Sequence, residues 1–257
     1  MKKPLVTADC LYVCGDSWTH GSELIDPTSE EPNHFAPVHE AYRLSHYWPA
    51  LVAKNLGVEA IDGSHPGGGN DRILRVAMYD VAKLLKAGRK PFVVIAWSQL
   101  HRFELPEGKT GGNFWRSFVS PLAKNNPRVA DEVWREWSTD RTDVIKWIQQ
   151  IINLDNFLKI NNVNYLSTTV FKESSWAYDT HTGQDGGYFD PYLSQIKQHV
   201  NLTRHALNIP FEWVLKQHEN VSYGPGGHPL RRGHEIIAEQ IYSQINSKFQ
   251  FQRHQDQ

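Results

Sequence analysis

Apolar positions along this chain follow two different periods. Leu11-Tyr12-Val13-Cys14 and Pro91-Phe92-Val93-Val94-Ile95-Ala96-Trp97 are unbroken apolar runs. Runs of this length without polar alternation suit strands covered on both faces, as in a parallel sheet. Residues 58–61 and 164–170 read as two further strands. Between the strands, apolar residues recur at helical spacing. Ile73, Leu74, Ala77, Val81, Leu84 and Leu85 mark a helix over 71–86 with Asn70 as its N-cap. Residues 47–57 read as a helix closed by a Gly57 C-cap. Two more helices are expected over 143–160 and 192–207, and Ile237, Ile241 and Ile245 mark a final amphipathic helix starting at Arg231. Strands alternating with helices predict an α/β fold built on a doubly wound parallel sheet.

Two stretches stand outside this alternation. Residues 26–37 are polar, with Pro27, Pro32 and Pro37, and read as a surface insertion. Residues 109–140 are too long for a simple connection and read as a Trp-rich helical insertion or lid over the carboxyl edge of the sheet. Phe114, Trp115, Trp134 and Trp137, at near-helical spacing, either pack a local core or line that lid. The expected organisation is one α/β domain over 1–249 carrying the insertion 109–140, followed by a polar, frayed tail over 250–257.

Composition narrows the partners. A chain of 257 residues, 40% hydrophobic and 21% charged, has enough material for one large α/β core. A formal charge of -1 and a pI near 6.9 supply no global field for nucleic acid or an anionic membrane surface. No run approaches the roughly 20 apolar residues of a membrane span. The basic tip at Lys2 and Lys3 is followed by no apolar stretch of signal-peptide length before Asp9, so synthesis in the cytosol is expected. Cys10 and Cys14 share a strand face but lie about 13 Å apart at strand rise, too far for a disulfide, and are expected to be buried thiols.

The first apolar run ends in Gly15-Asp16-Ser17-Trp18-Thr19-His20-Gly21, which presents a serine at the carboxyl end of a strand, where open α/β sheets place their chemistry. Far downstream, Gly226-Gly227-His228-Pro229 sets a histidine just before the last helix. A serine hydroxyl is a weak nucleophile near neutral pH unless a base within hydrogen-bond reach takes its proton, and His228 has that chemistry. His234 falls inside the final helix.

Taken with the glycine turn Pro66-Gly67-Gly68-Gly69 after the second strand, these blocks resemble the SGNH hydrolases, also called the GDSL esterase and lipase family. The resemblance implies a flavodoxin-like three-layer α/β/α architecture, Ser17 as nucleophile, His228 as base, and an oxyanion hole built from the Ser17 and Gly67 backbone N–H groups. Two positions depart from the family pattern. Ser98 stands where the family's third block carries asparagine, leaving Ser98 and Asn70 as alternative third donors. Pro225 stands where an aspartate precedes the catalytic histidine by three residues, and no carboxylate lies between Val221 and His234. A backbone carbonyl would leave a Ser-His dyad, the reading preferred from sequence; Glu219 is the alternative acid, and an inactive relative is the third possibility.

Trp18, His20, Trp97 and Arg102 lie close enough in sequence to the expected site to contact substrate. His20 alternatively caps its turn, and Arg102 alternatively forms a structural ion pair with Glu104. Gly67-Gly68-Gly69-Asn70 lacks the Lys-Ser/Thr of a phosphate-binding loop. The thirteen histidines include no His-Glu-x-x-His, and residues 179–187 lack the terminal glutamate of a calcium loop, so neither metal nor cofactor is expected. The expected function is a serine esterase that removes a small acyl group, such as acetyl, from a carbohydrate or other polar substrate. The alternatives are a catalytically silent glycan-binding or assembly module of the same fold, and a lipase or thioesterase.

Overall fold

The computed structural model describes residues 3–33, 36–106, 115–118, 140–171 and 210–251, together with Arg128, Glu132, Val133 and Glu136. In chain order the elements are β1 (Leu5–Val6), β2 (Cys10–Cys14), α1 (Ser17–His20), α2 (Glu40–His46), α3 (Trp48–Leu56), β3 (Glu59–Asp62), α4 (Asn70–Lys86), β4 (Pro91–Trp97), β5 (Phe103–Pro106), β6 (Trp115–Phe118), α5 (Asp140–Ile160), β7 (Tyr165–Thr169), α6 (Phe211–Lys216), α7 (Arg231–Lys248) and β8 (Gln250–Phe251).

Among the described residues, four strands form an all-parallel sheet in the order β3-β2-β4-β7. Their side chains alternate between two cores. Leu11, Val13, Phe92, Val94 and Ala96 face a core completed by α3, α6 and α7, through residues such as Trp48, Phe211 and Ile237. Tyr12, Cys14, Val93, Ile95 and Trp97 face the other, completed by α4 and α5 through Ile73, Ala77, Trp147 and Leu158. This three-layer α/β/α arrangement explains the unbroken apolar runs, because helices cover both faces of the sheet. Cys10 and Cys14 are buried free thiols, and burial pushes both up to about 12.

The chain enters at β2, adds β3 on one side, then crosses over to place β4 on the other. The carboxyl ends of β2 and β4 therefore flank a topological switch point, the crevice where open α/β sheets bind ligands.

Several local expectations need correction. The N-cap of α4 is Gly69, and Asn70 is already helical because its side chain is drawn elsewhere. Residues 250–251 are not frayed: β8 pairs parallel with β1, and Phe251 packs edge-on to Phe92 at 5.2 Å. Within the expected helical insertion, residues 115–118 form a strand antiparallel to β5, and Phe103 stacks on Phe118 at 5.1 Å. Phe114, Trp134, Trp137, the helix expected over 192–207 and the loop 179–187 lie outside the described residues.

Candidate active site

The turn between β2 and α1 is built by close approach. A Cβ on Gly15 would collide with the Thr19 hydroxyl and lie 3.1 Å from Ala96 O at the end of β4, so the two strand ends meet only because residue 15 is glycine. Asp16 then caps α1 by accepting from Trp18 N–H at 3.0 Å, which leaves Ser17 as the first helical residue. Ser17 is 6% exposed.

Asp16 is fully buried and ties the switch point together. Its Oδ2 accepts from Ser98 Oγ at 2.7 Å and from the Arg102 guanidinium at 3.0 Å. Arg102 also donates to Ser98 Oγ at 2.9 Å and lies over the Phe171 ring at 5.4 Å. Burial raises the Asp16 carboxyl above its ordinary range, opposed by Arg102, Ser98, the Trp18 N–H and His228. Arg102 thus pairs with Asp16, whereas Glu104 pairs with Arg75 at 2.7 Å; the expected Arg102–Glu104 pair does not form. A guanidinium engaged by a buried carboxylate holds the β2 and β4 loops together.

The glycine turn arrives from β3. His65 N–H donates to Gly15 O at 3.2 Å and Gly68 N–H to His65 O at 3.0 Å, placing the 65–68 turn beside the start of α1. Gly67 has φ +74°, a conformation L side chains rarely adopt. A Cβ on Gly69 would lie 3.1 Å from the Arg102 carbonyl, so that turn also seals against the segment after β4. Among the described residues, the N–H groups of Ser17, buried at the start of α1, and of Gly67, half-buried in its turn, have no intramolecular acceptor.

Neither expected third donor is free. Asn70 is 2% exposed; its Oδ1 accepts from Ser98 N–H at 2.8 Å, and its Nδ2 donates to the Ser98 and Gln99 carbonyls at 3.3 Å each. Ser98 directs its hydroxyl at Asp16. Both residues fasten the loop after β4.

His228 sits in a turn whose ends are tied by Gly224 N–H to His228 O at 2.9 Å and Leu230 N–H to Ser222 O at 2.9 Å. The group on its Nδ1 is neither a backbone carbonyl nor Glu219, which is exposed beyond α6, but Glu23, at 2.8 Å. The same carboxylate accepts from Gly226 N–H at 2.7 Å and His228 N–H at 3.2 Å. Burial raises the Glu23 carboxyl, but these three hydrogen bonds outweigh it and hold the group below the usual carboxylate range. Glu23 was not legible as a site residue. Its signal was a carboxylate six residues after Ser17, matched to a glycine-rich histidine turn.

The remaining candidates divide between core and periphery. Trp97 is 1% exposed and donates to Ser167 Oγ at 2.7 Å, so it is a core residue, not a substrate contact. Trp18 is buried edge-on to Phe171 at 5.5 Å, with the Tyr223 ring 6.4 Å away. His20 is half-buried, and its ring is pushed down to about 4 by burial and by Arg43. His234 is fully buried, accepts from Trp48 N–H at 3.2 Å and is pushed down to about 3, chiefly by burial. Among the described residues, no group of three or more His, Cys, Asp or Glu is arranged to hold a metal ion, and no helix is long and apolar enough to cross a membrane.

The architecture is shared with solved carbohydrate esterases. The family two carbohydrate esterase of Clostridium thermocellum, in complex with cellohexaose, is 16% identical over 96% of this chain and 66% of that chain, with a TM-score of 0.52. An acetyl xylan esterase from the rumen bacterium Butyrivibrio proteoclasticus is 13% identical over 95% of this chain and 65% of that chain, with a TM-score of 0.53. The chain spans about two thirds of each of these two proteins. At such identity the likeness establishes the fold alone, an α/β architecture shared with these two esterases. Residues 22–257 match the model of a family of unknown function, DUF6071, and the chain belongs to that family. The matched span includes Glu23, Gly67 and His228, while Ser17 precedes it. No curated protein matches the sequence.

Proposed function

We propose that this protein is a serine ester hydrolase acting on a small acyl ester, such as acetyl, carried by a carbohydrate or similarly polar alcohol. The observation that carries the reading is the pair of unengaged amides, Ser17 N–H and Gly67 N–H, beside a serine at the switch point of the sheet. Such a pair is the equipment an acyl-transfer site needs, because charge develops on the carbonyl oxygen when a nucleophile adds. His228 supplies the base. With Nδ1 bonded to a carboxylate, that nitrogen carries the proton and Nε2 is left to take the Ser17 proton as substrate binds; in the free protein no hydrogen bond joins the two.

In this mechanism Ser17 Oγ bonds to the ester carbonyl carbon as His228 Nε2 takes its proton, and the oxyanion is held by the two amides. The tetrahedral species collapses, the carbon–oxygen bond to the alcohol breaks, and His228 returns the proton to the departing oxygen. Water, deprotonated by His228, then attacks the acyl-Ser17 ester, releasing the acid and restoring the serine. The carbohydrate part of the proposal is supported by the acetyl xylan and carbohydrate esterases of the same fold, and by Tyr223, an aromatic 43% exposed in the turn that carries His228.

The test combines a fluorophosphonate probe with hydrolysis of p-nitrophenyl acetate and of an acetylated oligosaccharide. Ser17 should be the residue modified, and Ser17→Ala should abolish both labelling and turnover. Labelling that survives the substitution would sink the assignment. A wild-type protein that binds glycan without hydrolysing any ester would favour the silent-module alternative.

A further inference from the structure

Resting on the reading of Ser17 and His228 above, we infer that Glu23 is the acid of this site: the positioning residue that orients the His228 ring and stabilises its imidazolium, delivered by the nucleophile's own loop. The chain has no carboxylate between Val221 and His234, yet the His228 ring is held by one from across the sequence.

Three observations converge on this role. The first is the bonding pattern: one carboxylate receives the His228 ring, the His228 N–H and the Gly226 N–H, so it fixes the ring and the backbone that bears it. A surface ion pair would hold only one of these. The second is the space made for it. A Cβ on Gly224 would lie 2.5 Å from Glu23 Oε2, and one on Gly226 would lie 3.1 Å from Oε1 and 3.2 Å from His228 Nδ1. The glycines around Pro225 therefore form a cradle whose missing side chains admit the carboxylate.

The third is backbone strain. Glu23 has φ +67°, a left-handed conformation that costs a non-glycine residue about 1 kcal/mol or more. The turn that imposes it begins at the C-cap of α1, where Gly21 and Ser22 N–H groups both donate to Ser17 O, at 3.1 and 3.0 Å. The residue whose hydroxyl is the nucleophile thus anchors, through its carbonyl, the turn that aims the acid. Serine position and histidine orientation are coupled over six residues of chain. When His228 accepts the Ser17 proton, the carboxylate faces the resulting imidazolium, and no proton needs to leave Nδ1.

The experiment uses the full chain, p-nitrophenyl acetate and a fluorophosphonate probe. Glu23→Gln is expected to lower kcat by about 10²- to 10⁴-fold with little change in KM, and to move the acidic limb of the pH–rate profile to lower pH by about one unit or more. Gly224→Ala, which displaces the carboxylate without removing it, should reproduce the kcat loss; this second variant keeps the test open should Glu23→Gln fold poorly. Glu219→Gln should match wild type. Wild-type turnover in Glu23→Gln and Gly224→Ala, with Ser17 still labelled, would overturn the role of Glu23 while leaving the esterase reading intact. A fall in amplitude with no movement of the acidic limb would likewise overturn it, in favour of a purely structural tie. Failure of the wild type to label at Ser17 would overturn the esterase reading and this inference together.

Discussion

At the scale of single residues, the site separates groups that sequence motifs reveal from groups that only folding brings together. Ser17 and His228 each lie in a short block whose neighbours constrain the backbone, a strand end before the serine and a glycine-rich turn before the histidine, so both are legible in sequence. Glu23 is not, because an acid partner needs proximity to Nδ1 and not a particular spacing from the histidine. The same distinction decides between the two histidines near the last helix. His234 is fully buried and holds Trp48 N–H, whereas the His228 side chain is 21% exposed and bonded to Glu23. His228→Ala should therefore remove turnover by several orders of magnitude at a nearly unchanged melting temperature. His234→Ala should lower the melting temperature and leave kcat of the folded fraction close to wild type. Measuring both quantities on both variants checks the assignment, and the reverse pattern would contradict it.

At the scale of elements, the strongly periodic segments within the described residues match their expected elements, and short or doubly constrained ones do not. The helix over α4 and the strand β4 follow from spacing alone, because each buries a continuous apolar face. Asn70 shows the limit. Its type suits an N-cap, but its amide bridges instead to the loop after β4, a contact 28 residues away that local chemistry cannot signal. β8 is invisible for a related reason: two residues carry no period, and their pairing with β1 depends on the whole sheet being in place. The bridging role of Asn70 gives a prediction that separates structure from catalysis. Asn70→Ala leaves the buried Ser98 N–H without its acceptor, a loss of about 1–3 kcal/mol. That corresponds to a melting temperature lower by about 2–12 °C for a chain of this size. Ser17 labelling by the fluorophosphonate should persist in the folded variant. A kcat loss of about 10²-fold or more at an unchanged melting temperature would instead mark Asn70 as an oxyanion donor.

At the scale of the whole molecule, the order β3-β2-β4-β7 gathers the candidate site: the crossover opens a crevice between β2 and β4, the Ser17 and Gly67 loops leave β2 and β3, and the His228 turn after α6 is tied to the Ser17 loop through Glu23. Two buried or half-buried histidines make the fold sensitive to acid. His234 is pushed down to about 3 and His20 to about 4, so the unfolded chain, with ordinary histidines near 6.5, binds more protons than the folded one as the pH falls. Their contribution is complete above pH 6.5 and is lost progressively below it. Glu23, held low, acts in the same sense at more acidic pH, while Asp16 and Asp62, raised by burial, act in the opposite one. A comparison of wild type with His234→Gln cancels the groups they share. Between pH 6.5 and pH 4, the stability of wild type relative to that variant should fall by up to ~1.4 kcal/mol per pH unit, the slope of one group protonated only when unfolded. Denaturant titrations across that range read the slope directly. Parallel stability curves for the two proteins would show that His234 takes up its proton without unfolding, and that burial in α7 does not keep it neutral.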